Sequence, residues 1–241
     1  MKIAMIIEAW KPIWAGGQAV AYEISKRLSE NYGWDIDLFV MNLGGRKIEK
    51  INHKFKVFRV GKKRKFSFFH RLLWQLEVYK EIKRRHASKK YDLIYAHANL
   101  PGLIGKLLSI KLGIPVVYQV HGSGIEAMQK MYGKGPKSWI LYLIESILQR
   151  RINYDLEITV DRKFLEYKNK NNPVYLPNGV DVEKFDKVKT RKEKKFFKIL
   201  FVGRLHPQKG LIYLVESAKL IKKELEEKDS HQPQIIHLNR I

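Results

Sequence analysis

An α/β fold, a Rossmann-like doubly wound parallel sheet followed by the incomplete start of a second α/β domain, is what the chain predicts, and three observations carry that expectation. Short runs such as Lys2-Ile-Ala-Met-Ile-Ile7, Ile36-Asp-Leu-Phe-Val-Met41 and Ile114-Pro-Val-Val-Tyr-Gln-Val120 are mostly apolar and β-branched, as strands covered on both faces are. Segments with a 3.6-residue apolar period separate them, so strand and helix alternate along the chain. Glycines stand at the joints, at Gly16-Gly17, Gly33, Gly113, Gly122 and Gly203.

Composition narrows the class. With 241 residues and 45% apolar content, the chain has enough material for one large or two small packed domains. It has no cysteine, which excludes disulfides and thiolate metal sites. No apolar run reaches the roughly 18–20 residues of a spanning helix. The N-terminus has a strand pattern in place of a signal peptide, so the expected location is cytoplasmic. A formal charge of +23, much of the excess lying between Arg46 and Lys90, calls for an anionic partner or a strongly solvated surface. Charge alone leaves nucleic acid, an acidic membrane and a phosphorylated substrate open.

Taken in order, Lys2–Ile7 is a buried parallel strand, followed by a loop through Pro12 to Gly16-Gly17 and a helix over 18–32 that Gly33 stops. Val20, Ile24 and Leu28 are the expected inner face of that helix. Strands follow at 36–41 and at 55–60, the latter read as alternating in polarity. The basic run Lys62-Lys-Arg-Lys65 leads into a helix over 68–85. Phe69, Leu72, Leu73, Leu76 and Tyr79 form one apolar stripe there, with Trp74, Val78 and Ile82 beside it. Lys80, Lys83, Arg84 and Arg85 end this helix with the charge its dipole favours. Two readings stay open for it: an inward apolar face under solvated lysines, or an interfacial helix that touches anionic lipid.

Tyr91–His97 is a strand, Leu100–Leu112 a helix with Gly113 at C′, and Ile114–Gly122 the central strand. His97 and His121 end strands, where open parallel sheets hold their ligands. Glu8, at the end of the first strand, is a lesser candidate for the same cleft, while His53, His70, His86, His231 and His237 are read as structural. No H-E-x-x-H pattern or carboxylate at ligand spacing assembles a metal site. An apolar helix over 138–152, a strand over 155–160 and a polar stretch over 163–172 complete the first domain, 1–172. Residues 173–181, containing Asn178-Gly179 and Asp181, form a hinge, and 182–241 belong to the second domain.

After a charged linker over 187–198, the run Phe197–Val202 has strand character and meets Gly203. Arg204 and Lys209 follow, then a helix from about Gly210 to Glu227 with Leu214, Ala218, Ile221 and Leu225 on one face. A strand ending in glycine, two cations and a helix N-terminus form the layout of a phosphate site. Arg204 is suited to grip a diphosphate bidentately, and Lys209 to neutralise it as a point charge. The same pattern also suits a solvated basic turn, and it lacks Walker spacing.

Pro177-Asn-Gly-Val-Asp181 with Phe185, Phe201-Val-Gly-Arg-Leu205 and Lys209-Gly210 resemble the retaining nucleotide-sugar glycosyltransferases of family 4 (group 1), two-domain enzymes of the GT-B type. The resemblance runs from Met1 to about Glu224. It implies transfer of a sugar from a nucleoside diphosphate sugar to an acceptor hydroxyl with retention, without a metal or cofactor. It implies that Pro12 to Gly17 is the first glycine loop, with Gly16 and Gly17 beside the donor phosphates, and that His121 of His121-Gly122 sits against the donor sugar. Gly203, Arg204 and Lys209 then bind the diphosphate, the two cations stabilising it as it leaves.

In the family a glutamate pair in the second domain holds the nucleotide. This chain stops before any matching pair, so a truncated chain of weak or absent activity is expected. The incomplete second part is expected to pack on the first, to self-associate or associate with another chain, or to be partly disordered. The other reading is a non-catalytic module that binds an acceptor or a membrane. An anionic membrane face or lipid-phosphate acceptor suits the charge; nucleic acid is disfavoured, because no groove-reading helix or stacking motif accompanies it.

Overall fold

The computed structural model describes residues 1–122, 151–162, 173–186, 199–203 and 209–228, with residues 135, 139, 147, 165 and 205 singly between them. It divides into two compact units, whose described residues are mainly 1–122, 151–162 and 173–178 in the first and 179–186, 199–203 and 209–228 in the second.

The first unit is a single sheet of eight strands: β1 (Lys2–Ile6), β2 (Asp35–Met41), β3 (Ile48–Lys50), β4 (Phe55–Val60), β5 (Leu93–His97), β6 (Val116–Val120), β7 (Leu156–Thr159) and β8 (Val174–Tyr175). Their order is β3-β4-β2-β1-β5-β6-β7-β8, and every pair is parallel except β3 with β4. The predicted Rossmann-like sheet is therefore observed. β3 was not legible: it is three residues long and two of them are charged. Residues 174–175 were read as a crossing segment and instead form the edge strand β8, paired with β7.

Among the described residues three helices cover this sheet: α1 (Gly16–Asn31), α2 (Phe68–Ser88) and α3 (Asn99–Leu112). On one face, Ala4, Ile6, Phe39, Phe58 and Val120 meet Trp74, Val78 and Ile82 of α2 and Ile104 and Leu108 of α3. On the other, Ile3, Met5, Leu38 and Val57 meet α1. The residues of α1 that reach closest are small: Ala21, Ser25 and Ser29 are buried at i, i+4 and i+8, while Ile24 and Leu28 flank them and Val20 stays half-buried. Of the expected Val20–Ile24–Leu28 face, Ile24 and Leu28 do pack against the core, but Val20 does not, and the small residues lie deepest. Ser25 keeps its hydroxyl satisfied by donating to the Ala21 carbonyl at 2.7 Å, so a polar residue is tolerated against the sheet.

Two further expectations change. Strand β4 does not alternate; Arg59 is buried, donating to Glu49 at 2.7 Å and to the Arg46 carbonyl at 2.8 Å, so a charge that reads as outward is paired inside. On α2 the buried stripe is Trp74, Val78 and Ile82. Phe69, Leu72 and Leu76, read as the principal face, are exposed because the sheet lies on the neighbouring side.

In the second unit, α4 (Val182–Asp186) and α5 (Leu211–Lys228) are helical. Residues 199–202, expected as a strand, carry no strand, and Leu200 and Val202 are exposed; among the described residues no strand pairs with them, and an unpaired parallel strand leaves its backbone groups unsatisfied. Most of the expected helix over 138–152, the stretch 163–172, the linker 187–198, Arg204 and the tail 229–241 lie outside the described residues.

Close packing at Gly102 of α3 yields a test. A Cβ there would stand 2.7 Å from the Tyr118 ring, itself stacked on Tyr154 at 4.4 Å. Gly102→Ala is expected to lower stability by about 1–2 kcal/mol, because overpacking outweighs the better helix propensity of alanine. A shift of the denaturation midpoint to lower urea checks it, and an unchanged midpoint contradicts it.

Candidate functional site

Strand order reverses between β1 and β5. Successive connections run outward from β1 through α1 to β2, and after β4 the chain returns across the sheet through α2 to β5. In an open parallel sheet this switch point leaves a crevice at the carboxyl ends of the two central strands. Glu8 lies just beyond β1, His97 ends β5, and His121 follows β6.

Gly16 and Gly17 are not in a loop, as expected, but form the first turn of α1. The cause is local: Ala15 is extended (φ −150°), and the Gln18 side chain accepts the Ala15 N–H at 3.0 Å, so Gln18 closes the first turn two residues after the helix has begun. The first N–H groups of α1 are therefore those of the paired glycines, at the positive end of the helix. A Cβ on Gly17 would stand 3.6 Å from His121 Cδ2 and 3.9 Å from His121 Nε2, so the imidazole packs on helix backbone that has no side chain to cover it.

Behind His121 stands His97, fully buried, with its Nδ1 2.9 Å from His121 Nε2. Tyr95 stacks on His97 at 4.7 Å and its hydroxyl donates to Gln119 at 2.7 Å. Burial lowers both histidines, His97 well below its ordinary range and His121 to about 4, and it raises the Tyr95 hydroxyl. All three are neutral near pH 7. Directly after His97, Ala98 turns the chain into α3 with φ 71°, in the left-handed region that a residue with a Cβ rarely occupies; its N–H donates to the Gln119 carbonyl at 3.0 Å. No glycine marks that turn, so the sequence did not signal it.

Glu8 is buried and triply held. Arg71 of α2 donates to Oε2 from Nε at 3.0 Å and from Nη2 at 2.7 Å, and Gln75 Nε2 donates to Oε1 at 2.8 Å. Burial raises the Glu8 carboxyl and the Arg71 charge opposes that rise. Arg71 and Gln75 were missed by sequence reasoning; their signal was a polar pair at i, i+4 beside the inward Trp74 and Val78.

In the second unit Gly203 and Lys209 stand together, a Cβ on Gly203 reaching within 3.9 Å of Lys209 Cγ, and Lys209 is exposed. Arg204 lies outside the described residues. Among the described residues no cluster of three or more His, Asp or Glu side chains is arranged to hold a metal, and no helix is long and apolar enough to cross a membrane. Beside the start of α2, Pro12, Ile13, Leu43, Lys63, Arg64, Lys65 and Phe66 line a cavity of about 440 Å³.

The chain matches the family model described as Glycosyltransferase Family 4 over residues 14–184, which takes in both glycines of α1 and both histidines. The chain belongs to that family. It is 30% identical over 160 residues to the UDP-Gal:alpha-D-GlcNAc-diphosphoundecaprenol alpha-1,3-galactosyltransferase of Escherichia coli, covering 61% of this chain and 39% of that protein. It is 28% identical over 236 residues to an uncharacterized glycosyltransferase of Methanocaldococcus jannaschii, covering 90% and 59%. This member of the family thus spans less than two thirds of either curated relative. Among solved structures, sucrose-phosphate synthase from Thermosynechococcus elongatus aligns with a TM-score of 0.63 at 18% identity over 76% of this chain and 49% of that one, a likeness of GT-B fold.

The Glu8 network predicts a pH dependence. In Arg71→Ala the opposing cation is gone and the carboxyl rises further. A raised acid is stable below its unfolded value and loses stability as pH climbs through the folded one. The substitution is expected to cost about 1–3 kcal/mol, discounted for the partial exposure of Arg71, with the larger loss at about pH 8 and the smaller at about pH 5. Thermal melts at the two pH values check it; an equal loss at both rejects the assignment.

Proposed function

We propose that the chain acts in retaining, metal-independent transfer of a sugar from a nucleoside diphosphate sugar to an acceptor hydroxyl, the first unit serving the acceptor side. The observation that carries this reading is His121 packed on the backbone of Gly17, which has no side chain, at the first turn of α1 and beside the strand switch point, within a chain of a glycosyltransferase family. The difficult step is departure of the diphosphate, which takes the electron pair of the C1–O bond. Groups that stabilise the growing negative charge lower that barrier. In the first unit the N–H groups of Gly16 and Gly17 supply such donors at the positive end of a helix; from the second, Gly203, Arg204 and Lys209 are proposed to bind the diphosphate, the two cations by their charge. His121 contacts the sugar. No cofactor enters; the nucleotide sugar is itself a substrate.

The acceptor is proposed to lie at an anionic membrane surface. Phe66, Phe69, Leu72 and Leu76 are exposed at and before the start of α2, and Lys80 and Lys83 continue the same face. Arg64, Arg71, Arg84 and Arg85 are paired with Glu77, Glu8 and Glu81, whereas Lys65, Lys80 and Lys83 make no ion pair among the described residues. Apolar side chains flanked by free ammonium groups suit a negatively charged headgroup layer. The substrate of the Escherichia coli relative is, by its name, a diphosphoundecaprenol, an anionic lipid of the same chemistry.

Two measurements test this. UDP-galactose and other nucleotide sugars are incubated with a lipid-diphosphate acceptor, using this chain and this chain joined to the C-terminal half of the Methanocaldococcus jannaschii relative. Transfer by either supports the reading, with His121→Ala or Lys209→Ala lowering it by roughly 10²–10³-fold and chelation leaving it unchanged. No transfer and no nucleotide binding by both rejects it. In sedimentation with phosphatidylglycerol vesicles, binding is expected at low salt, weakening as salt screens it, and falling at least about tenfold in the Leu72→Glu/Leu76→Glu variant. Vesicles left unbound at low salt reject the membrane partner.

A further inference from the structure

We propose that His97 is a positioning residue for His121: its Nδ1–H donates to His121 Nε2 and so holds His121 as the Nδ1–H tautomer, leaving it a hydrogen-bond donor with no free basic nitrogen. The catalytic meaning of this tautomer rests on the role given above to His121 in sugar transfer; the tautomer itself does not.

Geometry fixes the kind of contact. The two rings lie within 12° of parallel with centroids 5.2 Å apart, yet Nδ1 and Nε2 approach to 2.9 Å. Parallel rings in face contact stand roughly 3.5 Å or more apart, so a shorter contact lies edge to edge, in the ring planes, along the direction of an imidazole N–H and its lone pair. One nitrogen donates and the other accepts.

The far side of His97 decides which. Its Nε2 is buried and has no hydrogen-bond partner among the described residues. The nearest hydroxyl in the stack, that of Tyr95, is committed to Gln119 at 2.7 Å. Were His121 the donor, a neutral His97 would carry its own proton on Nε2, as a buried N–H with no acceptor. Orphan donors are rarer in folded proteins than under-used acceptors. With the proton on His97 Nδ1, the enclosed nitrogen is only a lone pair. His121 Nε2 then accepts, and the proton of a neutral His121 stands on Nδ1. Burial keeps both rings neutral near pH 7, so a single proton occupies the bridge.

The chemical consequence is specific. A neutral Nδ1–H imidazole donates to an oxygen of a bound sugar, but its only lone pair is engaged by His97, so it does not take the proton of the acceptor hydroxyl. His121 is thereby a donor that orients the sugar and is not the general base of the transfer. Protonating the pair would require His97 to turn its proton onto the enclosed Nε2, which agrees with the lowered values of both rings.

The test reads tautomers directly. Long-range ¹H–¹⁵N spectra of the histidine-labelled chain near pH 7, with the His121 signals assigned by their loss in His121→Asn, are expected to show both residues as Nδ1–H, the opposite of the form usual in water. His97→Asn places an amide N–H where Nδ1 stood and is expected to keep His121 as Nδ1–H. His97→Phe removes the donor and is expected to return His121 to the Nε2–H form. A wild-type His121 in the Nε2–H form overturns the proposal, as does a His121 unaltered by His97→Phe. If His97→Phe fails to fold, the wild-type and His97→Asn spectra decide. Titration with UDP-galactose separates the two readings: no response from any histidine, with the tautomers as expected, counts against sugar transfer and leaves the His97–His121 assignment standing.

Discussion

Parallel pairing of β1 with β5 is the constraint on which the rest of the first unit depends. Parallel neighbours cannot be joined by a hairpin, so α1 and α3 cross opposite faces of the sheet between paired strands, α2 returns the chain from β4 to β5, and the central strands are covered on both faces. Connections leave β1 in one direction and return to β5 from the other, the strand order that leaves a crevice at the joint between the two strands. At that gap of the first unit gather the first turn of α1, the carboxylate after β1 and the histidine at the end of β5.

Sealing the faces also decides how polar side chains survive there. Glu8 stays buried only because Arg71 and Gln75 reach it from α2, and Arg59 only because Glu49 and a backbone carbonyl meet it from the β3 side. Such groups are costly alone and tolerable in company. The Glu8 network has a mechanical consequence as well. It ties α2, the helix with the exposed apolar and cationic face, to the loop that leads from β1 toward Gly16. Contact at the outer surface of α2 and order at the crevice are thus joined through two side chains.

The alternation of strand and helix, the places of β1, β2, β5 and β6, and the two histidines at strand ends were legible, because a buried strand must be apolar throughout and a surface helix must show its period. Gly16-Gly17 were legible as important but misplaced, since nothing in two consecutive glycines says that Gln18 will fold back to cap the turn before them. The α2 stripe was misassigned for a related reason. Two apolar stripes, Phe69–Leu72–Leu76 and Trp74–Val78–Ile82, stand side by side on one helix, and periodicity cannot say which of them meets the sheet.

What the sequence by itself determined is therefore the parallel sheet, its family and the residue types at its mouth, all of which follow from short-range pattern and motif. What only the tertiary structure decided is which of those residues touch. His97 and His121 are separated by a helix and a strand in the chain, and they meet because β5 and β6 pair in a register that aligns His97 with Gln119, two residues before His121. Glu8 and Arg71 meet across a longer stretch still, a separation of 63 residues that holds α1, β2, β3 and β4. Contacts of this kind are set by strand register and helix docking, which depend on the packing of the whole sheet and leave no local mark on the residues they join.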